Sequence, residues 1–198
     1  VRERGLIMQK VCEKIAAENQ GNPPGMSAVL GLAPEKVVEL AKSITDAYAA
    51  NMNSPVQTVV SGTAFALEKL EIAAKEAGAR RALRLQVAGP FHSPLMQEAA
   101  VEFEKVLETV TFNVPLFSNV TGGQVSDPVE IKKNAVLHLT KPVLWTNEES
   151  ELEKLMDQDS ENEWSLLEPG VGEVLSGLWK KIPASEKYNC SGVNSVEH

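Results

Sequence analysis

The feature that most restricts the fold of this 198-residue chain is a run of six short segments between residues 26 and 88. Their hydrophobic periods follow the order strand, helix, strand, strand, helix, strand. The predicted strands are 26–32, 47–52, 57–61 and 82–88, and the predicted helices are 33–46 and 63–77. This βαββαβ order is typical of a ferredoxin-like subdomain and requires no long structureless loop. We therefore predict such a subdomain over residues 25–90.

The flanking residues favour a larger α/β body. Residues 1–24 read as one helix followed by a cluster of Gly and Pro. Residues 91–182 alternate helices and strands, which predicts an α/β arrangement with parallel pairing. Residues 183–198 are polar and predict a loosely ordered tail. Because the chain starts with Val in what reads as the middle of a helix, we expect it to begin inside a domain.

Charge argues against several classes of function. The net charge of −8 and the pI near 5.0 argue against broad nucleic-acid binding. No apolar run approaches ~18 residues, so we predict no membrane span. A local basic patch is a candidate dock for an acidic protein, although a solvated face is an equally good interpretation. The patch consists of Lys69, Lys75, Arg80, Arg81 and Arg84.

Possible metal ligands are few and poorly spaced. Cys12 and Cys190 lie far apart, so they predict neither a disulfide framework nor a zinc site, and a reducing compartment is expected. The acidic residues of 157–163 lack the Gly and terminal Glu of a calcium loop, which favours a solvated loop. We predict no metal site and no bound cofactor.

The stretch most suited to a catalytic role is 89–96, which contains His92 between Pro90 and Pro94. A β-forming run precedes His92 and a helical run follows it, so the imidazole sits at a restrained junction. Histidine suits a general base because its unperturbed pKa lies near neutral pH. The alternative is a turn histidine without a chemical task. The usual nucleophile for such a base, a serine in a Gly-x-Ser-x-Gly elbow, does not occur in these residues.

Two further features have plain interpretations. His138 falls on the apolar side of a predicted helix, where a core or helix-terminus histidine is expected. Residues 168–172, Glu-Pro-Gly-Val-Gly, lack a complete nucleotide-binding pattern, so a tight strand-to-helix turn is favoured over a phosphate site.

Five sequence blocks occur in a fixed order along residues 1–182. They are Arg-Gly at 4–5 with Met-Gln at 8–9; Gly-Met-Ser-Ala-Val-Leu-Gly-Leu at 25–32; Asn-Met-Asn-Ser-Pro at 51–55 with Gln57 and Ser-Gly at 61–62; Gly-Pro-Phe-His-Ser-Pro-Leu-Met at 89–96; and Ser-Asn-Val at 118–120 with Pro-Val-Leu-Trp at 142–145 and residues 168–172. In these blocks the chain resembles the C-terminal two-thirds of a malonyl-CoA:acyl-carrier-protein transacylase, an acyltransferase.

The resemblance implies an α/β-hydrolase-like acyltransferase domain with the ferredoxin-like subdomain inserted. Residues 1–24 are then a helix of the large domain, 25–90 the subdomain, 91–182 the rest of the large domain and 183–198 the tail. It also implies transfer of malonyl from malonyl-CoA to a serine and then to the phosphopantetheine thiol of acyl carrier protein, for fatty acid synthesis. It implies no cofactor beyond the substrates. We expect a monomer in the cytoplasm, or alternatively in a plastid or mitochondrion.

The resemblance also assigns roles to residues. His92 matches the catalytic base, and Arg4 matches the arginine that holds the malonyl carboxylate, which a planar guanidinium fork suits. Phe91 matches the form typical of malonyl rather than methylmalonyl selection. Asn53 matches an asparagine near the site, although a turn residue is the alternative.

His138 stands where relatives carry a glutamine whose backbone carbonyl orients the catalytic histidine, and a backbone role survives a change of side chain. Val143 is expected nearby.

The chain also departs from the family. The serine elbow and a glutamine-bearing motif are expected upstream of Val1, so the chain alone should not form an acyl-enzyme. Residues 168–172 replace the family's Glu-x-Gly-Pro-Gly, which puts the shape of that turn in doubt. Two other functions stay open: a non-catalytic remnant that binds acyl carrier protein, and the acyltransferase domain of a larger synthase.

Overall fold

The computed structural model describes residues 1–19, 21–108, 114–159 and 161–193 and has a mixed α/β fold. The chain divides into two compact units, Val1–Thr146 and Asn147–His198. This division does not coincide with the predicted domain boundaries. Those boundaries are based on the expected insertion of the subdomain, and they remain a proposal.

The elements of the first unit surround a four-stranded sheet. Its helices are α1 (Arg2–Glu18), α2 (Pro34–Lys42), α3 (Ala64–Glu76), α4 (Gln97–Val106) and α5 (Pro128–Leu137), with a 3-10 turn at Pro94–Met96. Its strands are β1 (Gly25–Leu30), β2 (Ala47–Ser54), β3 (Gln57–Gly62), β4 (Arg81–Arg84), β5 (Leu116–Ser118) and β6 (Gly123–Val125).

The later elements are fewer. They are α6 (Trp145–Gln158), which crosses the division, then β7 (Leu166–Pro169), α7 (Val174–Trp179), a 3-10 turn at Pro183–Glu186 and β8 (Cys190–Val193).

The four-stranded sheet has the order β2-β3-β1-β4, and all three neighbouring pairs are antiparallel. Val29 and Val60 pack against α2 and α3 on one face. Met26 and Ala28 pack toward Phe91 on the other. Because both faces are covered, β1 is buried along almost its whole length. The predicted βαββαβ order of elements is therefore present.

One strand of this sheet and one helix packed against it were predicted to be longer than they are. The strand expected at 82–88 ends at Arg84, which lies opposite Ser27 of β1. Beyond it, the Leu85 amide still donates to the Met26 carbonyl at 2.8 Å. The helix expected at 33–46 ends at Lys42, and Asp46 then turns the chain with φ of 63°.

The helix predicted at 97–109 ends at Val106, and residue 109 lies outside the described residues. The parallel pairing predicted within residues 91–182 is wrong for β5, which pairs antiparallel with β6. β7 does pair parallel, but with β8, which lies in the segment predicted to be a tail. Only residues 119–122 separate β5 from β6, which is too short for a crossover, so the two strands form an antiparallel hairpin.

The prediction of a loose tail is wrong for residues 183–193. Ala184 is buried in a cluster with Met156 and Trp179, and the Trp179 indole donates a hydrogen bond to the Tyr188 carbonyl at 2.8 Å. These buried contacts were not predicted because the segment is mostly polar in composition. Residues 194–198 lie outside the described residues.

The packing of α1 matters for the site described below. Val11 and Cys12 on α1 pack against Ala99 and Phe103 on α4. Gly89 approaches α1 so closely that a Cβ there would overlap Cys12 Sγ and lie 3.3 Å from Cys12 Cβ. A side chain at position 89 would therefore force the Cys12 Sγ atom to move, although the backbone angle at this position does not itself require glycine.

Within the described residues, no helix has the length and apolar character needed to cross a membrane. Among those same residues, no group of three or more His, Cys, Asp or Glu side chains is arranged to hold a metal ion.

We predict that Gly89→Ala lowers the free energy of unfolding by about 1–3 kcal/mol, because the new methyl group overpacks against Cys12. Urea denaturation followed by circular dichroism measures the change. Gly5→Ala is the matched control, since nothing lies within 4 Å of a Cβ there. In the Cys12→Ala background the cost of Gly89→Ala should shrink, and equal costs in both backgrounds would contradict the proposed overlap.

Candidate active site

His92 has a backbone conformation that few side chains adopt. Its φ is 57°, and among the described non-glycine residues only Asp46 shares a positive value. This left-handed conformation costs roughly 1–2 kcal/mol, so surrounding contacts must hold it. The Ser93 hydroxyl donates to the Pro90 carbonyl at 2.6 Å, and the Ser61 hydroxyl from β3 donates to the Phe91 carbonyl. The two hydroxyls brace the carbonyls on the N-terminal side of His92.

The imidazole of His92 is oriented by a backbone atom. Its Nδ1 lies 2.8 Å from the carbonyl oxygen of His138. A carbonyl can only accept, so Nδ1 carries the proton and donates, and Nε2 is the acceptor of the neutral ring. His138 follows the last residue of α5, where helix carbonyls have no intrahelical partner and are free to accept.

The electrostatic surroundings keep His92 neutral at physiological pH. Burial lowers the pKa of His92, and the nearby Arg4 charge lowers it further, while hydrogen bonds with the backbone of His138 and Lys141 raise it in part. A neutral ring with a proton on Nδ1 is the form that can take a proton from a nucleophile through Nε2.

Arg4 on α1 meets the side chain of the same His138. An Nη of Arg4 lies 3.4 Å from His138 Nδ1, and the two histidine rings are 4.9 Å apart between centroids. Because a guanidinium only donates, His138 Nδ1 must accept and the ring must be neutral. Burial, His92 and Arg4 together lower the pKa of His138 to about 4, which agrees with that form.

Arg4 is a half-buried cation without an anion. No carboxylate of the described residues lies within ion-pair distance of it, and its Nε is buried without a hydrogen-bond partner among them. Burial lowers the pKa of Arg4, yet a guanidinium stays charged. An unpaired buried charge is costly, so this position is a natural receptor for an anionic group.

His92 lines a cavity of 310 Å³ beside the sheet. Its walls are mainly apolar and include Met52 and Pro142, while Lys42 and Lys141 supply positive charge. Val143 ties this wall to the sheet, because its amide donates to the Ala50 carbonyl at 2.7 Å and its carbonyl accepts from the Met52 amide at 2.9 Å.

Two residues named from the sequence lie apart from that cavity. Asn53 falls where the pairing of β2 with β3 shifts register, between Met52 and Ser54, and it is not among the lining residues. The Phe91 side chain lines a different cavity, of 550 Å³, with Cys12 and other residues of α1.

The structure thus brings Arg4, His92 and His138 together. Val143 follows Pro142 of the cavity wall but is not itself among the lining residues. The contact between the Arg4 and His138 side chains and the hydrogen bond from Ser61 to the Phe91 carbonyl were not predicted from the sequence. No local signal could have found them, because 134 residues separate Arg4 from His138 and 30 separate Ser61 from Phe91.

The turn at 168–172 is not an open phosphate site. The Glu168 carboxylate accepts hydrogen bonds from the Leu175 and Ser176 amides at 2.9 and 2.8 Å and from the Ser176 hydroxyl at 2.6 Å. These bonds lower the pKa of Glu168 and occupy the start of α7. The tight-turn interpretation therefore agrees with the structure.

Comparison with known proteins supports an acyltransferase relationship. The chain is 36% identical over 192 residues to the malonyl CoA-acyl carrier protein transacylase of Bacillus subtilis, covering 92% of this chain and 56% of that protein. It superposes with a TM-score of 0.81 on an acyl carrier protein S-malonyltransferase from Vibrio cholerae, at 32% identity, covering 99% of this chain and 61% of that one.

A malonyl-transacylase solved in complex with a type II polyketide acyl-carrier protein gives a TM-score of 0.80 at 32% identity, covering 98% of this chain and 60% of that chain. No protein-family model matches the chain.

These matches show that the chain is related to acyltransferases with a mixed α/β fold. Within that class it is a homologue of the malonyl CoA-acyl carrier protein transacylases, which it matches over 92% of its own length. It spans little more than half the length of those curated relatives, 56% in the Bacillus subtilis comparison.

We predict that the protein loses stability as the pH falls below about 6.5. The folded pKa values of both histidines lie below that of an unfolded chain, so the unfolded state binds more protons in this range. For His138 alone, stability at pH 5.5 should be about 1.4 kcal/mol lower than well above pH 6.5.

Urea denaturation at pH 7.5 and 5.5 measures this loss above the range in which ordinary carboxylates titrate. His138→Asn should reduce the difference. An unchanged pH dependence in that variant would show that His138 is not held neutral in the folded state.

Proposed function

We propose that this chain supplies the base and the carboxylate receptor for transfer of malonyl from malonyl-CoA to the phosphopantetheine thiol of acyl carrier protein. The observation that carries the proposal is the unpaired Arg4 guanidinium beside an oriented, neutral His92. A base next to an anion receptor suits an acyl group that carries a carboxylate.

In the proposed first half-reaction, His92 Nε2 takes the proton of a serine hydroxyl while Oγ attacks the thioester carbonyl. The C–S bond then breaks, and the imidazolium returns the proton to the leaving coenzyme A thiolate. The second half-reaction runs the same steps in reverse, with the phosphopantetheine thiol as nucleophile and the serine as leaving group. The His138 carbonyl stabilises the imidazolium that forms in each half, through the Nδ1 proton.

We propose that the serine comes from residues other than these 198, because these contain no Gly-x-Ser-x-Gly. We propose the same source for the oxyanion-stabilising donors. The incomplete coverage of the relatives is consistent with this.

Arg4 is proposed to hold the malonyl carboxylate, because a guanidinium offers paired N–H donors in the plane that a carboxylate matches. The apolar cavity beside His92 is proposed to take the thioester arm. Selection by Phe91 and a contact from Asn53 are retained as proposals. Since Phe91 lines a different cavity, its influence would act through the backbone that positions His92.

We further propose that the βαββαβ sheet is the inserted ferredoxin-like subdomain, over residues 25–90, of an α/β-hydrolase-like domain. The sheet order β2-β3-β1-β4 supports this. Residues 1–24 and 91–182 would then belong to the large domain, and 183–198 would follow it.

Acyl carrier protein is the proposed partner, with support from the relative solved with such a protein. Of the basic residues considered for docking, Arg84 is already engaged by Glu71 at 3.1 Å and by the Ala64 carbonyl, which leaves Arg80 and Arg81 as the stronger candidates. We propose a cytoplasmic monomer that needs no cofactor beyond its substrates and serves fatty acid synthesis.

A second candidate, a non-catalytic protein that binds acyl carrier protein, is favoured by the lack of a serine elbow in these residues. An acyltransferase domain of a larger synthase is the third. The kinetic test below separates the first two.

We predict that Arg4→Ala weakens binding of malonyl-CoA to this chain by about 10- to 100-fold, since hydrogen bonds to a charged partner are worth about 1.5–3 kcal/mol. Acetyl-CoA lacks the carboxylate, so its affinity should stay the same. Isothermal titration calorimetry measures both ligands. Arg2→Ala is the matched control, because Arg2 is an exposed arginine on the same helix. An equal loss for both ligands would remove Arg4 from carboxylate recognition.

We predict that His92→Ala lowers transfer at least 100-fold in a chimera that joins this chain to the portion of the Bacillus subtilis relative that it does not cover. Transfer of labelled malonyl to acyl carrier protein measures the effect. Arg81→Ala, with an exposed side chain on β4, controls for changes in carrier binding, since it should alter KM rather than kcat. The chain alone should acquire no stable serine-linked label. An inactive chimera that still binds acyl carrier protein would favour the non-catalytic candidate.

A further inference from the structure

His138 contacts both functional residues of the site with different atoms. Its main-chain carbonyl accepts from His92 Nδ1 at 2.8 Å, and its ring Nδ1 accepts from an Arg4 Nη at 3.4 Å. The first contact is independent of the side chain at position 138. The second depends on it entirely. A substitution at position 138 can therefore remove the contact with Arg4 while the contact with His92 is kept.

The ring of His138 can accept only in one protonation state. A proton on Nδ1 would place an N–H against the N–H of Arg4, and a doubly protonated ring would add charge repulsion. Titratable or charged groups facing the ring are His92 and Arg4, and both disfavour its protonated form. Acceptance from Arg4 therefore requires the neutral ring with its proton on Nε2, a buried atom that has no hydrogen-bond partner among the described residues.

His138 is well placed to hold Arg4. It follows the end of α5, and the adjoining Leu139 is buried against Val11 and Met96 in the cluster that fixes α1. Arg4, in contrast, has a long side chain with many rotamers, which must be restricted to hold one orientation. His138 Nδ1 is its one side-chain hydrogen-bond partner among the described residues.

We propose that the His138 side chain is a positioning residue that holds the Arg4 guanidinium in the orientation required to receive a carboxylate, and so sets the preference for malonyl over acetyl groups. This inference rests on the proposed function, because it assumes that Arg4 receives the acyl carboxylate. One guanidinium hydrogen goes to His138 and the other donors stay free for the ligand. Fixing the fork before binding reduces the entropy lost when the carboxylate arrives.

The first test needs no ligand. Long-range ¹H–¹⁵N NMR on the chain should show His138 as the neutral tautomer with its proton on Nε2. In Arg4→Ala its pKa should rise, because the donor and the positive charge are both removed. Arg4→Gln removes the charge but retains an N–H donor, and should keep the Nε2–H tautomer. A His138 ring protonated on Nδ1 in the unsubstituted chain would overturn the proposal, whatever the protein binds.

The second test separates the acceptor from the ring. His138→Phe keeps a ring of similar size and the main-chain carbonyl but removes the acceptor. His138→Asn restores an acceptor, since its Oδ1 stands the same number of bonds from the backbone as Nδ1. Malonyl-CoA and acetyl-CoA are titrated into each variant by calorimetry, and the ratio of their affinities is compared.

We expect His138→Phe to lower the malonyl-to-acetyl affinity ratio about 10-fold, and His138→Asn to recover most of it. The NMR signature of the His92 Nδ1–H bond should persist in both variants, because its acceptor is a backbone atom. A structural defect would instead lower both affinities together and disturb His92.

A ratio unchanged by His138→Phe would overturn the positioning role, as would equal losses in the Phe and Asn variants. Failure of the proposed function gives a different result. The unsubstituted chain would then bind the two thioesters equally, and Arg4→Ala would change neither affinity. In that case the His138 tautomer still decides whether the ring orients Arg4.

Discussion

The hydrogen bond from His92 Nδ1 to the main-chain carbonyl of His138 is the interaction on which the candidate site depends. It fixes the tautomer of His92, and with it the nitrogen that can accept a proton. The bond forms because α5 ends at that residue and leaves the carbonyl unpaired. It also needs the left-handed conformation at His92, which the hydroxyls of Ser61 and Ser93 support by binding the carbonyls of the two preceding residues.

Charge in the site is distributed by burial. Arg4, His92 and His138 are three basic groups in contact, and no acid among the described residues compensates them. Burial disfavours a charge on either imidazole, and repulsion from the Arg4 guanidinium adds to this effect, so the two rings stay neutral and only the guanidinium is charged. One fixed cation beside two neutral acceptors leaves a positive charge for an anionic ligand to satisfy. The same arrangement makes His92 a base rather than an acid near neutral pH.

Features that depend on local sequence pattern, such as the order of the elements, could be predicted from the sequence. Features that depend on contacts between distant residues could not. The six elements between residues 25 and 84 follow hydrophobic periods, so their order was predictable. Their ends were less so: β4 stops at Arg84, opposite Ser27, although β1 extends further to Gly25. His92 was found from its flanking prolines and the resemblance, whereas the link from Arg4 to the His138 ring spans the chain and leaves no local trace. The prediction that residues 183–193 are loosely ordered was wrong because a few contacts, such as the hydrogen bond from Trp179 to Tyr188, hold this polar segment in place.

The two contacts of His138 differ in how they respond to sequence change. Orientation of His92 uses a backbone atom, so many residues at position 138 could serve it, provided that α5 ends in the same place. Orientation of Arg4 uses a ring nitrogen, so it requires a side chain with an acceptor at that distance from the backbone. Substitutions at 138 would therefore be expected to alter which acyl group is preferred before they impair proton transfer. On this argument the proposed chemistry and its selectivity meet at one residue but are carried by separate atoms, which allows one to change while the other is retained.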